Sequence, residues 1–356
     1  MLYSPMHPDP QPGDGLALYY HPVYLEHDTG YHPEQPGRLR AILSALEAYG
    51  LPESKLLTPQ PVDPGILAKV HDLRYIAAVE KAARSGGGYW DLDTYISPAS
   101  YDAAILAAGA ATSVVDSAMS GATVPFALIR PPGHHALHAS AMGFCLFNNI
   151  AVAAQHAIEK HDLERVLIVD WDVHHGNGTQ DYFYNRADVL FLSTHQYPFY
   201  PGTGALHETG SGQGKGYTVN IPLPAGVGDE VYMRVFNEIV VPVAQRYRPQ
   251  LILISAGYDA HVADPLGGMA VTTAGFAEMA LTLRTLANQL DECKGRLAAI
   301  LEGGYNVQAL ATSVIATIAA LQSTSLPLTP ATEHATTRRT PDITQIISQV
   351  RRLHNL

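Results

Sequence analysis

The chain has 356 residues, with 22 basic and 33 acidic side chains and a formal net charge of −11. Such an acidic chain does not favour general nucleic-acid binding, which needs a basic surface. No apolar run approaches the length of a membrane-spanning helix. The two cysteines, Cys145 and Cys293, give no disulfide framework, and residues 1–15 lack the features of a signal peptide. We therefore expect a soluble protein in a reducing, cytoplasmic compartment.

The amino-terminal third is predicted to be mostly helical. Residues 1–15 are rich in proline and polar side chains and are predicted to form a flexible segment. A first strand is predicted over 16–20, followed by a loop that extends to Pro36. The spacing of apolar residues and the alanine-rich composition predict helices over 38–49, 66–70, 73–83 and 100–120. The glycine-rich residues 86–93 are predicted to be a flexible loop.

From residue 125 onwards, predicted strands alternate with predicted helices. The strands are expected over 125–129, 165–169, 189–193, 217–222, 251–255 and 296–301. The helices are expected over 149–159, 229–246, 273–290 and 309–321. This alternation predicts one α/β domain over 16–322, with a central parallel sheet flanked by helices on both faces. Residues 323–356 are predicted to be a tail, with a possible short helix over 343–353.

The most informative stretch is Asp170-Trp-Asp172-Val-His174-His175-Gly-Asn177, directly after the predicted strand 165–169. In open α/β sheets, functional residues collect beyond the carboxyl ends of strands. Asp172 and His174 are two residues apart, so in extended chain their side chains lie on the same side and can share a metal ion. The alternative is a cluster of salt bridges and caps at a strand end. So much charge directly after an apolar strand favours the metal site.

Other predicted strands also end in reactive side chains. These are His134 and His135, His195, Asp259 and Tyr305. The carboxyl ends of parallel strands share one edge of a sheet, so these groups are expected to converge. Asp259 is the best third metal ligand, although a loop aspartate can equally cap the next element. Two carboxylates and one imidazole suit zinc or ferrous iron.

The adjacent imidazoles of His134 and His135 suit proton transfer near neutral pH. Asp170 is expected to accept a hydrogen bond from one ring and Asn177 from the other, which would give the two rings different pKa values. Tyr305 follows two glycines and can donate to an oxyanion. The alternative for Tyr305 is an ordinary half-buried tyrosine.

Six segments resemble the motifs of the histone deacetylase superfamily. They are Arg130-Pro-Pro-Gly-His-His135, Gly143-Phe-Cys-Leu-Phe-Asn-Asn149, residues 170–180, Tyr200-Pro-Gly-Thr-Gly204, Ala256-Gly-Tyr-Asp-Ala-His261 and Glu302-Gly-Gly-Tyr305. The resemblance extends from about Tyr19 to Leu321. It is closest to the class II-like deacetylases and their bacterial relatives, which include acetylpolyamine amidohydrolases. It implies the arginase/deacetylase fold and a zinc-dependent amidohydrolase.

The resemblance also implies a role for each matching residue. The zinc ligands would be Asp172, His174 and Asp259. The histidine pair would be oriented by Asp170 and Asn177, with Tyr305 as the transition-state phenol. A structural potassium ion would lie at Asp170, Asp172, His174, Ser193 and Thr194, and a second at Phe183, Arg186, Val189 and Tyr217. The acyl-lysine tunnel would be formed by Gly143, Phe144 and Tyr200, with the rim carboxylate at Asp93.

The resemblance implies that the enzyme hydrolyses an acetyl-lysine-like amide in a peptide, a protein or a small acetylated amine. A polyamine deacetylase of the same superfamily is the main alternative, but the position that matches the acidic gatekeeper of such enzymes is Leu266. A reader that binds acyl-lysine without turnover is a more remote alternative, which Tyr305 does not support. An arginase-like enzyme would need a second metal and more ligands than the sequence offers. The sequence leaves open whether the chain forms a homo-oligomer.

Overall fold

The computed structural model describes residues 15–322 and 341–356. The predicted flexible segment, except for Gly15, and residues 323–340 of the predicted tail lie outside the described residues. Seven strands form the central sheet, and two short strands, β2 and β3, form a separate antiparallel ribbon. The strands are β1 Leu16–Tyr19, β2 Gly88–Tyr89, β3 Tyr95–Ile96, β4 Val124–Ala127, β5 Val166–Asp170, β6 Val189–Gln196, β7 Thr218–Leu223, β8 Leu251–Ala256 and β9 Leu297–Leu301.

The strands of the central sheet follow the order β1-β4-β9-β8-β5-β6-β7, and every neighbouring pair is parallel. The predicted parallel sheet is therefore confirmed. Strands β5 to β9 are buried at every position, because both of their faces are covered. In the register of the sheet, Asp170 at the end of β5 lies between Ser193 of β6 and Ser255 of β8. The carboxyl ends of the central strands thus meet at one edge.

The α-helices connect and cover the strands. They are α1 Gly37–Ala48, α2 Pro64–Val70, α3 Leu73–Arg84, α4 Ser100–Met119, α5 Asn149–His161, α6 Asn177–Phe183, α7 Asp229–Val235, α8 Val241–Tyr247, α9 Thr273–Gln289, α10 Val307–Gln322 and α11 Thr344–Leu353. Helices α4 and α5 pack against each other, as do α9 and α10. Helix α11 packs against β7. Within the described ranges, no helix is long and apolar enough to cross a membrane.

Several elements differ from the sequence prediction. Helix α6 was not predicted, and the predicted loop over 86–93 contains the short strand β2. The predicted helix over 229–246 changes to a π-helix over Phe236–Val240. Pro242 follows this segment and has no N–H for the helical hydrogen bond to residue 238, which accounts for the wider turn. Strand β6 continues to Gln196, so His195 lies within the strand, where its ring contacts His175 and the Gly204 carbonyl.

Candidate active site

Three side chains that can hold a metal ion meet at the carboxyl edge of the sheet. Asp172 and His174 follow β5, and Asp259 follows the adjacent strand β8. Nδ1 of His174 lies 3.1 Å from Asp172 Oδ1 and 3.2 Å from Asp259 Oδ2. Both carboxylates are fully buried, and the His174 side chain is 11% exposed. The predicted convergence of the three residues is therefore observed.

The backbone around this cluster lies very close to the two carboxylates. The Gly303 N–H donates to Asp172 Oδ2 over 3.0 Å, and the Val173 N–H donates to Asp259 Oδ1 over 2.8 Å. A Cβ atom at Gly303 would lie 2.2 Å from Asp259 Oδ2 and 2.5 Å from Asp172 Oδ2. Since no side chain fits there, glycine at this position lets both carboxylates face the same small space.

The electrostatics of the cluster suit a cation. Burial acts to lower the pKa of His174, but hydrogen bonds and charge from Asp172 and Asp259 raise it to about 10. Burial and the charge of Asp172 raise the pKa of Asp259 to about 7. The two buried carboxylates are thus balanced only by the neighbouring imidazoles of His174 and His134. A divalent metal ion would supply further positive charge, and two carboxylates with one imidazole are a donor set that zinc and ferrous iron accept.

The two neighbouring histidines have different partners and opposite pKa shifts. His134 Nδ1 donates to Asp170 Oδ2 over 3.0 Å, whereas His135 Nδ1 lies 2.7 Å from Asn177 Oδ1. Burial acts to lower the pKa of His134, but Asp172 and Asp170 outweigh it and raise the pKa to about 10. Burial and the charges of His134 and His174 hold the pKa of His135 well below its usual value. The partners are those expected from the sequence.

A cavity of about 460 Å³ opens onto His135 and His174. All five residues expected to contact substrate line it: Asp93, Gly143, Phe144, Tyr200 and Leu266. Tyr305 lines the same cavity, together with Gln196, Phe199, Pro265, Gly267 and Gly268. The walls are largely apolar, so an acyl chain can enter while its carbonyl faces the polar cluster.

The local backbone explains several of these positions. Gly143 and Phe144 both have positive φ angles, 56° and 69°, in a tight turn. A Cβ atom at Gly143 would lie 2.4 Å from the His135 ring, so only glycine fits there. The Asp91 carboxylate accepts hydrogen bonds from the N–H groups of Asp93 and Thr94. Asp93, rather than Asp91, therefore lines the cavity.

Phe199 was not identified from the sequence. Its ring stacks on His174 with centroids 5.4 Å apart and an interplanar angle of 14°. The only signal was its position next to Tyr200 in Tyr197-Pro-Phe-Tyr-Pro201, a run with no helical or strand period. Phe199 covers one face of a proposed metal ligand and so helps to exclude water from it.

A buried ion network supports the loop that carries Tyr305, and it too was missed. Arg38 donates to the carbonyls of Gly304 and Glu302 over 2.6 and 2.5 Å, and its guanidinium lies 5.0 Å from the Tyr305 ring centroid. Glu34 accepts hydrogen bonds from both Arg38 and Arg130. All three charged residues are fully buried. The sequence placed Glu34 in a loop and gave no sign of this burial.

The Tyr305 phenol remains a neutral donor at physiological pH. Burial raises its pKa well above the usual value, although the charge of Arg38 acts in the opposite direction. The Tyr305 N–H donates to Asp264 Oδ2 over 2.6 Å, which fixes the backbone after Gly304. The ring lies edge-on to Phe144, with centroids 5.6 Å apart. Tyr305 is therefore held at the cavity wall from both the backbone and the ring.

The positions expected to bind potassium are partly brought together. Asp170 is buried at the end of β5, Ser193 and Thr194 are buried within β6, and the Thr194 hydroxyl donates to the Asp170 carbonyl over 3.4 Å. At the second position, the Phe183 carbonyl accepts from the Arg186 N–H, and the Tyr217 carbonyl accepts from the Phe191 N–H. Val189 is buried at the start of β6. Both potassium sites stay predictions.

The apolar cavity ends on a carboxylate–imidazole cluster at the carboxyl edge of a parallel sheet, the place where open α/β sheets carry their functional residues. Residues 32–321 match the model of the histone deacetylase domain. The chain therefore belongs to the histone deacetylase family.

Similar proteins come from several kingdoms. The chain is 44% identical over 332 residues to histone deacetylase 10, chloroplastic, of Oryza sativa subsp. japonica, covering 88% of this chain and 74% of the rice protein. It is 41% identical over 278 residues to the histone deacetylase-like amidohydrolase of Pseudomonas aeruginosa, covering 77% and 73%. It is 39% identical over 334 residues to the polyamine deacetylase HDAC10 of Homo sapiens, covering 88% and 49%.

A solved structure shows the same fold. The crystal structure of the HDA15 HD domain superposes with a TM-score of 0.84 at 39% sequence identity. The superposition covers 95% of this chain and 94% of that domain. The predicted arginase/deacetylase fold is therefore confirmed.

Proposed function

We propose that the protein is a zinc-dependent deacetylase that hydrolyses acetyl-lysine-like amides to a free amine and acetate. The observation that carries this proposal is the apolar cavity between Phe144 and Tyr200, which leads to His135 and His174. A lysine side chain is long and apolar up to its acylated nitrogen, so it suits an apolar passage with polar groups at its end.

The metal would be held by Asp172, His174 and Asp259. When bound, zinc would polarise the scissile carbonyl and lower the pKa of a water molecule. The buried carboxylates and the glycine at position 303 support this choice of site, because they leave a small space that a cation fits.

The histidine pair would divide the proton chemistry. The Nδ1 atom of His135 donates to Asn177 Oδ1, so Nε2 carries the lone pair and can take a proton from the attacking water. The same atom can then return that proton to the nitrogen of the departing amine. The Asp170 carboxylate accepts a hydrogen bond from His134 Nδ1 and favours the protonated ring, so His134 would act as a positive charge beside the reacting groups.

Tyr305 would donate a hydrogen bond to the carbonyl oxygen as negative charge develops on it. Contacts that form mainly in the transition state raise turnover rather than affinity. Arg38 would act as a positioning residue, because it contacts the Tyr305 loop and ring but does not line the cavity.

Acetylpolyamines are the second candidate substrates. The human relative named as a polyamine deacetylase is 39% identical to this chain, which favours that possibility. Leu266 at the cavity wall argues against acetylpolyamines, because it offers no negative charge to a polyamine cation. On balance, acetyl-lysine in a peptide or protein is the better match.

A panel of substrates tests the proposal. Zinc-loaded protein would be assayed on acetyl-lysine peptides, acetylpolyamines and small acetamides, with and without a hydroxamate that binds metal. We expect the highest kcat/KM on acetyl-lysine peptides and full inhibition at micromolar hydroxamate. A higher kcat/KM on acetylpolyamines would contradict the acetyl-lysine assignment and identify the protein as a polyamine deacetylase. No turnover of any acetylated amine would contradict the proposed enzyme.

A further inference from the structure

A second group of potential metal ligands lies on two packed helices, away from the candidate active site. It consists of Asp116 of α4 with His156 and His161 of α5, and we call it the helix-pair cluster. One nitrogen or oxygen from each of the three side chains lies within 4.8 Å of the others. In the part of the chain that the structure describes, the only other such group is Asp172, His174 and Asp259.

Both imidazoles of the helix-pair cluster converge on one oxygen. His156 Nε2 lies 2.8 Å from Asp116 Oδ1, and His161 Nε2 lies 2.7 Å from the same atom. The ring centroids are 5.8 Å apart. The two histidines are five positions apart, which is about 140° around an ideal helix, so they approach Asp116 from different directions. The three donor atoms thus lie within 4.8 Å of one another, close enough to share one ion.

This arrangement is close to the coordination that zinc requires. Tetrahedral zinc with nitrogen and oxygen ligands at about 2.0–2.2 Å separates those ligand atoms by roughly 3.3 Å. The observed separations of 2.7 and 2.8 Å need to widen only slightly. The side chains of Asp116 and His161 are 38% and 20% exposed, so small rotations are open to them and an ion can reach them from solvent. Water can take the fourth position.

The remaining oxygen of Asp116 already has a partner. Lys160 donates to Asp116 Oδ2 over 2.8 Å, which leaves Oδ1 to act as a monodentate ligand. A group that binds the second carboxylate oxygen orients the first one, as outer partners do in known metal sites. The Lys160 charge also works against a cation, so the helix-pair cluster should bind zinc more weakly than a site with no neighbouring ammonium.

The helix-pair cluster is separate from the proposed chemistry. Helix α5 begins at Asn149, whose side chain donates to the Pro131 carbonyl in the loop before His134. His156 and His161 lie seven and twelve residues further on, about 10 and 18 Å along the helix. The connections from α4 to β4 and from α5 to β5 begin here, so the cluster lies toward the opposite edge of the sheet.

We propose that Asp116, His156 and His161 bind a divalent transition-metal ion of the zinc type, which links α4 to α5. The ion would stabilise the fold and take no part in hydrolysis, because it binds only the folded arrangement of two helices. The competing explanation is a hydrogen-bonded cluster in which both imidazoles donate to Asp116 and no ion binds.

The substitution His161→Gln separates the two explanations. Glutamine can still donate a hydrogen bond to Asp116, but it is a poor ligand for zinc. Tag-free protein would be stripped of metal with a chelator and titrated with zinc chloride by calorimetry. We expect two zinc ions per chain for wild type and one for His161→Gln. His207→Gln, which alters an exposed histidine outside the cluster, should retain two.

Asp259→Ala distinguishes this inference from the proposed active site. That variant should also bind one zinc ion, and the double variant Asp259→Ala/His161→Gln should bind none. If wild type and His161→Gln bind the same number of ions, the helix-pair site is overturned whatever Asp259→Ala does. If Asp259→Ala binds as many ions as wild type, the active-site assignment fails instead.

A thermal measurement gives an independent readout. Zinc should raise the unfolding midpoint of Asp259→Ala but not that of the double variant, because only the former retains the helix-pair cluster. Without metal, the two proteins should unfold at similar temperatures, since the introduced glutamine amide still donates to Asp116. Equal zinc responses in both proteins would overturn the proposal.

Discussion

The two groups of potential metal ligands differ in burial, and this difference fits the separate roles proposed for them above. The carboxylates of Asp172 and Asp259 are fully buried, and the two residues follow the adjacent strands β5 and β8. In the helix-pair cluster, the Asp116 side chain is 38% exposed and one of its oxygens binds Lys160. Charges act more strongly where water is excluded. An ion at the buried group would therefore polarise a substrate more strongly than an ion at the helix-pair cluster.

The two groups also differ in what surrounds them. Around the buried group lie His134 and His135, the phenol of Tyr305 and a cavity large enough for an acyl chain. No member of the helix-pair cluster lines this cavity or either of two others among the described residues. Both groups consist of carboxylates and imidazoles, so the types of the ligand residues alone do not predict a catalytic site. A catalytic metal site also needs groups that transfer protons and a cavity through which the substrate enters.

Asp259→Ala should have the largest effect of the changes that test this comparison. Without this ligand the catalytic metal is lost, and with it several kcal/mol of transition-state stabilisation. We expect kcat/KM to fall at least about a thousandfold, since each ~1.36 kcal/mol is a factor of ten. Steady-state assays and metal analysis of the same preparation test this. Wild-type activity with wild-type metal content would show that Asp259 is not a ligand.

Tyr305→Phe should lower kcat by about a hundredfold or more, which is the usual cost of removing one oxyanion donor. The ring and its contact with Phe144 are kept, so zinc content and hydroxamate affinity should change little. Kinetics on an acetyl-lysine peptide at matched zinc occupancy provide the measurement. A variant within about threefold of wild type would leave Tyr305 as a packing residue and reopen the possibility of a non-catalytic reader.

Leu266→Glu should change the selectivity between acetylpolyamines and acetyl-lysine peptides, while the protein remains an active deacetylase. A carboxylate at the cavity wall can attract the distal ammonium groups of an acetylpolyamine by roughly 1.4 kcal/mol, which is about tenfold in kcat/KM. Activity on a neutral acetyl-lysine peptide should change less. Competing both substrates in one reaction measures the ratio directly, with Leu266→Gln as the uncharged control. An unchanged ratio would mean that Leu266 does not face the cation.

His161→Gln should have the smallest effect on catalysis. The helix-pair cluster is far from the substrate, and distant sites act independently, so kcat/KM should stay within about twofold of wild type. Initial rates at saturating zinc, with His207→Gln as the matched control, provide the test. A large loss of activity in His161→Gln alone would mean that the two groups are coupled and that the comparison is wrong.

Much of the buried site could be predicted because its residues are close in the sequence or follow strands. Asp172 and His174 stand directly after the apolar strand β5, and Asp259 and Tyr305 lie just beyond β8 and β9. The parallel sheet then brings these ends together, which is a property of the fold class. Periodicity also located most of the helices, since apolar faces repeat along them.

What could not be predicted depends on contacts between distant residues. Glu34 and Arg130 are 96 positions apart, and no local pattern shows that their charges pair in the core. The helix-pair cluster was missed for the same reason, because Asp116 lies 40 and 45 positions from its two histidines. Helix α6 is only seven residues long and follows the ligand-rich loop without an apolar period.

The hydrogen bonds from Arg38 have a consequence for the order of protein synthesis. The carbonyls that Arg38 contacts lie 264 and 266 residues further along the chain. When the ribosome has translated the chain through β8 and α9, it has already supplied Asp172, His174 and Asp259, as well as His134 and His135. It has supplied neither Tyr305 nor the acceptors that hold Arg38 in place. Since a domain folds as a unit, the proposed enzyme stays inactive on the ribosome until the residues after β9, up to at least Tyr305, have been translated.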